Sequence, residues 1–211
     1  MTNINQSKIK KATKVFNSVF NKYDIMNDLM SLGIHRLWKK RLIEWMNPKK
    51  DDHLIDMAAG TGDIANAFLS RIKNQGYVSC VDPNKLMIEQ GRKKLKHLNN
   101  IQWHVSSAEN LPFKDNMFDI YSVSFGVRNF SDTQKALREA HRVLKSGGRF
   151  ICLEFSKVEN EILNKVYKTY SKTIPFIGKY IVGDSEPYDY LIKTIDEFYD
   201  QESFKKIILD N

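Results

Sequence analysis

The segment Asp56-Met57-Ala58-Ala59-Gly60-Thr61-Gly62-Asp63 sets a carboxylate four positions before the first of two glycines. Such glycines let a backbone turn tightly and approach a ligand, with free amides of a following helix start facing it. An ordinary strand-to-helix turn needs neither the glycine pair nor the acid. Gly60, Gly62 and Ala65 also fit the G-x-G-x-x-A pattern of dinucleotide sites, so a nicotinamide enzyme is one reading. Asp56 favours another: a carboxylate beside the loop holds the ammonium of a methionine moiety, whereas near a pyrophosphate it would repel. Asp82, twenty positions after Gly62, closes the next apolar run, where it can accept hydrogen bonds from both ribose hydroxyls of either cofactor. Asp82-Pro83-Asn84 also reads as a helix start, a role compatible with the first.

Two later loops add polar groups. Ser107-Ala108-Glu109 offers a small pair past which an adenine edge reaches the backbone, and Leu111-Pro112-Phe113 turns the chain before the next apolar run. Ser124-Phe125-Gly126-Val127-Arg128-Asn129-Phe130 puts an arginine and an asparagine in apolar company, where they are costly to desolvate unless paired. The structural reading of Arg128 is an ion pair with an acid such as Asp132. Cys80 and Cys152 lie in apolar runs without a neighbouring Cys or His at ligand spacing, so they read as reduced core residues and no metal is expected.

These groups need strands to carry them. Residues 53–58, 77–81, 101–105, 118–125 and 149–155 read as strands, several apolar on both faces, and residues 64–73, 85–96 and 133–144 as helices between them. Ser146-Gly147-Gly148 is read as the close of the third helix. Alternation of this kind predicts an α/β, doubly wound, mostly parallel sheet. Helical spacing recurs at 8–20 and 37–46 before the sheet and at 161–172, 187–199 and 201–209 after it. One domain is expected, with a helical cap over 1–50, a cofactor-binding core over 51–156 and a helical substrate-side region over 157–211. Chemistry belongs at the carboxyl ends of the strands.

The 211 residues carry 33 Lys and Arg against 25 Asp and Glu, a net charge of +8, with clusters at 8–14, 39–41 and 92–96. Those clusters lie on helical faces without interleaved aromatics or a recognition motif, so no nucleic-acid partner is expected. An anionic membrane surface is the other partner that basic charge suits, and it gains weight with a lipid substrate. Residues 120–127, the longest uncharged apolar stretch, are too few to span a bilayer, and residues 1–14 lack the apolar core of a signal peptide, so a cytoplasmic protein is expected.

Two stretches carry a resemblance. Tyr23-Asp24-Ile25-Met26-Asn27-Asp28-Leu29-Met30-Ser31-Leu32-Gly33-Ile34-His35-Arg36-Leu37-Trp38 is highly specific, and residues 142–149 with Leu153-Glu154-Phe155-Ser156 support it. With the glycine loop, the Leu-Pro-Phe turn and Ser-Phe-Gly-Val-Arg-Asn, the match runs over about residues 15 to 200, and the chain resembles the ubiquinone/menaquinone biosynthesis C-methyltransferases, a class I family. The resemblance implies S-adenosylmethionine as cofactor and a polyprenyl quinol as substrate, methylated on a ring carbon. It puts Thr61, Asp82, Ser107, Ala108 and Ser124 on donor-binding positions, although the family usually carries Asn or Asp at Ser107, a change expected to weaken adenosine binding. Arg128 is expected to hold the quinol oxyanion or orient a water, with Asn129 and Tyr23 positioning the ring oxygens. His35 reads as a hydrogen-bonded structural histidine, and residues 175–183 either as a helix packed on the sheet or, given a lipid substrate, as an apolar segment for a polyprenyl tail or a membrane surface, which would make a cytoplasmic protein peripheral to the inner membrane. The family continues into two closing strands that are not found here, which predicts a five-stranded sheet with an open edge at 149–155, and either a homo-oligomer or a mobile segment after about Ile195. A catalytically inactive scaffold is the alternative from outside enzymology.

Overall fold

The computed structural model describes residues 27–28, 31–158, 160–182 and 185–211. They belong to two compact units, one of residues 38–154 and one joining residues up to 37 with residues 155–210.

In the first unit, β1 (His53–Met57), β2 (Tyr77–Asp82), β3 (Ile101–Val105), β4 (Phe118–Ser124) and β5 (Leu144–Leu153) form one parallel sheet in the order β3-β2-β1-β4-β5. Leu54, Ile55 and Met57 of β1 and Phe118, Ile120, Tyr121 and Val123 of β4 are all buried, as a central strand covered on both faces requires. Parallel neighbours need crossovers, and α2 (Asp63–Arg71), α3 (Lys85–Lys94) and α4 (Thr133–Val143) supply three of them. Each buries a stripe: Ile64, Ala65, Phe68 and Leu69 of α2; Met87, Ile88 and Gly91 of α3; Ala136, Leu137, Ala140 and Val143 of α4. A fully buried side chain such as Phe68 contributes about 1.5–3 kcal/mol over leaving it in water.

Helix α1 (His35–Met46) starts in the second unit, but its Leu42, Ile43 and Met46 enter the sheet core beside Leu54, Phe68, Val78 and Ile120. Residues 38–46 of this helix group with the sheet and residues 35–37 with the other unit. The third crossover helix ends at Val143, with Leu144 already extended, so Ser146-Gly147-Gly148 belongs to β5 and does not close the helix. Phe125 and Ala58 lie just beyond β4 and β1 with φ of 57° and 56°, a left-handed conformation that bends both chains off the sheet. Among the described residues β5 pairs only with β4, and none of its side chains is fully buried.

In the second unit, α5 (Glu161–Val182), α6 (Glu186–Glu197) and α7 (Gln201–Leu209) follow one another. The expected break near residue 172 is absent: α5 continues through Pro175, because the apolar period persists there and Ile174 is fully buried, which outweighs the hydrogen bond a proline removes. His35 is buried with Nδ1 3.0 Å from the Ser31 hydroxyl, the structural role expected of it.

The loops after β1 and β4 nearly touch. A Cβ on Gly126 would stand 2.4 Å from the Ala58 methyl, which is fixed to the backbone. Gly126→Ala is expected to destabilise the fold by about 1–3 kcal/mol through overpacking. The check is the urea midpoint, and an unchanged midpoint would show that the two loops separate freely.

Candidate cofactor and catalytic site

The chain runs outward from β1 through β2 to β3, then returns to the other side of β1 with β4 and β5. Crossovers thus diverge between β1 and β4, and their carboxyl ends bound the crevice where open α/β sheets bind ligands. The loop of Gly60, Thr61 and Gly62 follows β1, and Ser124 through Asn129 follow β4.

Asp56 is paired in register with Cys80 on one side and Ser122 on the other. The Ser122 hydroxyl donates to Asp56 Oδ1 at 2.9 Å, while Oδ2 is buried with no hydrogen-bond partner among the described residues. Burial pushes this carboxyl up to about 7 despite the Ser122 bond and the nearby Lys39 charge. Asp82 Oδ2 accepts the Gly60 amide at 2.9 Å and Oδ1 the Asn84 amide at 2.8 Å. Burial raises Asp82 to about 6, against those two bonds. The helix start of Asp82-Pro83-Asn84 is shared: Asn84 caps α3 by accepting the Leu86 amide at 2.9 Å, and Asp82 holds Asn84.

The two loop glycines spend their amides inside the loop, which leaves the amides of the helix start to face a ligand. Gly60 gives its amide to Asp82, and Gly62, left-handed at φ 84°, gives its own to the Ala59 carbonyl. The first-turn amides of α2 remain without intrahelical acceptors. Gly60 has nothing within 4 Å of a virtual Cβ, so that corner is open. At Gly62 a Cβ would meet Leu95 and Trp103 at 2.8 Å, so this glycine serves packing.

Thr61 Oγ1 accepts from Lys94 Nζ at 3.3 Å. Ser107 and Ala108 follow β3 on the same strand-end side, with Ala108 buried and the Ser107 carbonyl accepting from Asn110. Glu109 accepts the Ser131 amide and hydroxyl, each at 2.7 Å, which ties this loop to the one after β4. Ser124 ends β4 with a buried hydroxyl that has no partner among the described residues. Arg128 and Asn129 lie in a 3₁₀ turn, Val127–Asn129. Arg128 is buried and its acid is Glu154, not Asp132, which instead caps α4. Its Nη1 also donates to the Phe125 carbonyl at 3.1 Å. Tyr23 lies outside the described residues.

Glu154 was named only in the resemblance and missed as the partner of Arg128, although like Asp82 it stands at the end of an apolar strand. Lys39 and Lys94, which both reach Asp63 at the start of α2, were also missed.

An unpaired buried carboxylate oxygen, an open glycine corner and an orphan hydroxyl fit a ligand carrying an ammonium and neutral polar groups, as S-adenosylmethionine does. Each Asp82 oxygen accepts one amide, and a carboxylate offers about four acceptor directions, so two remain for ribose hydroxyls.

An ammonium beside Asp56 requires the ionised carboxylate, whereas free Asp56, at about 7, is mostly protonated at lower pH. Binding of S-adenosylhomocysteine is thus expected to release a proton below about pH 7 and to weaken as pH falls from 8 to 6. Calorimetry in buffers of different ionisation enthalpy checks this; no proton release at pH 6 would contradict it. Asp82→Ala is expected to cost about 1–3 kcal/mol of that affinity, and an unchanged value would remove Asp82 from the site.

Residues 1–211 match the model of the ubiE/COQ5 methyltransferase family. A protein of Ruegeria sp. (strain TM1040), named ubiquinone/menaquinone biosynthesis C-methyltransferase UbiE, is 48% identical over 194 residues, covering 90% of this chain and 77% of that one. Its namesake from Rickettsia bellii (strain OSU 85-389) is 47% identical over 220 residues, covering 98% and 88%. A solved SAM-dependent methyltransferase of Aquifex aeolicus, 20% identical, shares the fold with a TM-score of 0.58 over 68% of this chain and 75% of that one. The chain belongs to the ubiE/COQ5 methyltransferase family.

Proposed function

We propose that the protein transfers a methyl group from S-adenosylmethionine to a ring carbon of a polyprenylated quinol in ubiquinone/menaquinone biosynthesis. Family membership supplies the donor and the reaction class, and takes the place of the nicotinamide reading. The observation that carries the acceptor side is Arg128, buried at the carboxyl end of β4 and held by Glu154 and the Phe125 carbonyl.

S-Adenosylmethionine supplies an electrophilic methyl on a sulfonium. The transfer forms a carbon–carbon bond, breaks the sulfur–carbon bond, and leaves S-adenosylhomocysteine and a proton from the substituted ring carbon. A quinol hydroxyl activates its ring far more as the oxyanion, so a cationic group at that oxygen lowers the barrier. Arg128 takes that role. Glu154 and Phe125 keep the guanidinium from swinging, so stabilisation needs little reorganisation when charge develops. Asn129, next in the turn, and Tyr23 position the ring oxygens. Asp56, Thr61, Asp82, Ser107, Ala108 and Ser124 hold the donor, which fixes the methyl in line with the ring carbon.

A lipid substrate also gives the exposed face of α5 a use. Ile162, Val166 and Tyr180 share one exposed side at helical spacing, Leu163 adjoins it, and Lys165, Lys168 and Lys179 flank it. Apolar side chains beside lysines suit an anionic bilayer surface, and no helix among the described residues is long and apolar enough to cross one.

Arg128→Ala is expected to leave S-adenosylhomocysteine affinity in place and to lower methyl transfer at least about 100-fold, measured with labelled donor on both benzoquinol and naphthoquinol acceptors. Loss of donor affinity along with turnover would make Arg128 structural. Lys165→Glu with Lys168→Glu is expected to weaken sedimentation with vesicles containing phosphatidylglycerol, by about 1 kcal/mol for each lysine removed. Equal binding would withdraw the membrane contact.

A further inference from the structure

Two lysines converge on one carboxylate at the mouth of the glycine loop. Lys39 Nζ of α1 lies 2.9 Å from Asp63 Oδ2, and Lys94 Nζ of α3 lies 2.6 Å from Asp63 Oδ1. Asp63 is the first residue of α2, next to Gly62, so one positive charge is left over where the first-turn amides already favour an anion. Burial pushes Asp63 up, but the Lys39 and Lys94 charges outweigh it and hold the carboxyl at about 2, so it stays ionised. Both lysines thus share one ionised acid.

The two differ in setting. Lys94 is roughly half exposed and also reaches Thr61, whereas Lys39 is 19% exposed and lies near enough to Asp56 for its charge to favour the ionised carboxylate there. Between Lys39 and Asp56 the site therefore presents a cation and an anion together, the anion with an unpartnered buried oxygen. That is the complement of an amino-acid zwitterion.

We infer that Lys39 binds the α-carboxylate of the donor's methionine moiety while Asp56 binds its α-ammonium, with Asp63 holding the lysine in place. The inference rests on the reading of this site as the methyl-donor site. Removing Lys39 should cost only ligands that carry the carboxylate. A nucleoside thioether without the amino-acid end should not respond.

The test compares S-adenosylhomocysteine with 5′-methylthioadenosine by calorimetry on the full chain and on Lys39→Met. S-Adenosylhomocysteine is expected to bind roughly 10- to 100-fold more weakly to the variant, the loss that a charge-assisted hydrogen bond implies, with methylthioadenosine unchanged. Equal losses for both ligands, or no loss for either, would overturn the assignment. Failure of the unsubstituted chain to bind either compound would instead overturn the donor-site reading. Should Lys39→Met not fold, Lys39→Gln keeps the stem without the charge and carries the same comparison. Lys39→Arg, which keeps the charge, is expected to recover part of the difference between the two ligands.

Discussion

Two carboxylates buried at the ends of adjacent strands are the constraint on which the rest of this site depends. An ionised carboxylate inside a sheet is costly unless it is hydrogen-bonded or paired, and each of these has a different remedy. Asp82 takes the Gly60 and Asn84 amides, and in doing so fixes both the glycine loop and the start of α3. Asp56 takes one serine hydroxyl and leaves its other oxygen unpaired. One acid therefore builds the loop, and the other keeps an unmet demand for a cation at the end of β1. Burial raises both above ordinary carboxylates, so the contribution of these two groups to stability is fully present below about pH 4 and is lost as pH rises through their folded values near 6 and 7.

The loops beyond the strands are bent to serve those two groups. Ala58 and Phe125 both adopt the left-handed conformation just after the central strands, and only a glycine at 126 fits against the Ala58 methyl. Such conformations cost on the order of 1 kcal/mol each and persist where surrounding structure compels them. Here the compulsion is visible: the Phe125 amide donates to the Leu153 carbonyl at 2.7 Å and its own carbonyl accepts from Arg128. The turn that carries Arg128 is thereby bound to β5 as well as β4.

Much of this was legible in the sequence because buried parallel strands are continuous apolar runs, so an acid closing such a run stands out. Asp82 was found that way, Asp56 by its place four positions before the glycine pair, and the strand at 101–105 has the bounds expected of it. Glu154 escaped because its partner lies 26 positions away and two strands meet only in the fold. The use of Gly60's amide by Asp82 escaped for the same reason: spacing shows that a glycine can turn, not which acceptor its amide finds. Local rules misread two boundaries. The glycines at 147–148 look like a helix end but belong to a strand, and Pro175 looks like a break in a helix whose buried Ile174 carries it through.

Asp56 and Asp82 are assigned here to the two ends of one donor molecule, and a crystal structure with S-adenosylhomocysteine tests that assignment most directly. The α-ammonium is expected within hydrogen-bond distance of Asp56 Oδ2 and the ribose hydroxyls on Asp82, with the Gly60 and Asn84 amide bonds retained. Adenosine bound elsewhere, or Asp56 left without a cationic partner in the complex, would contradict it.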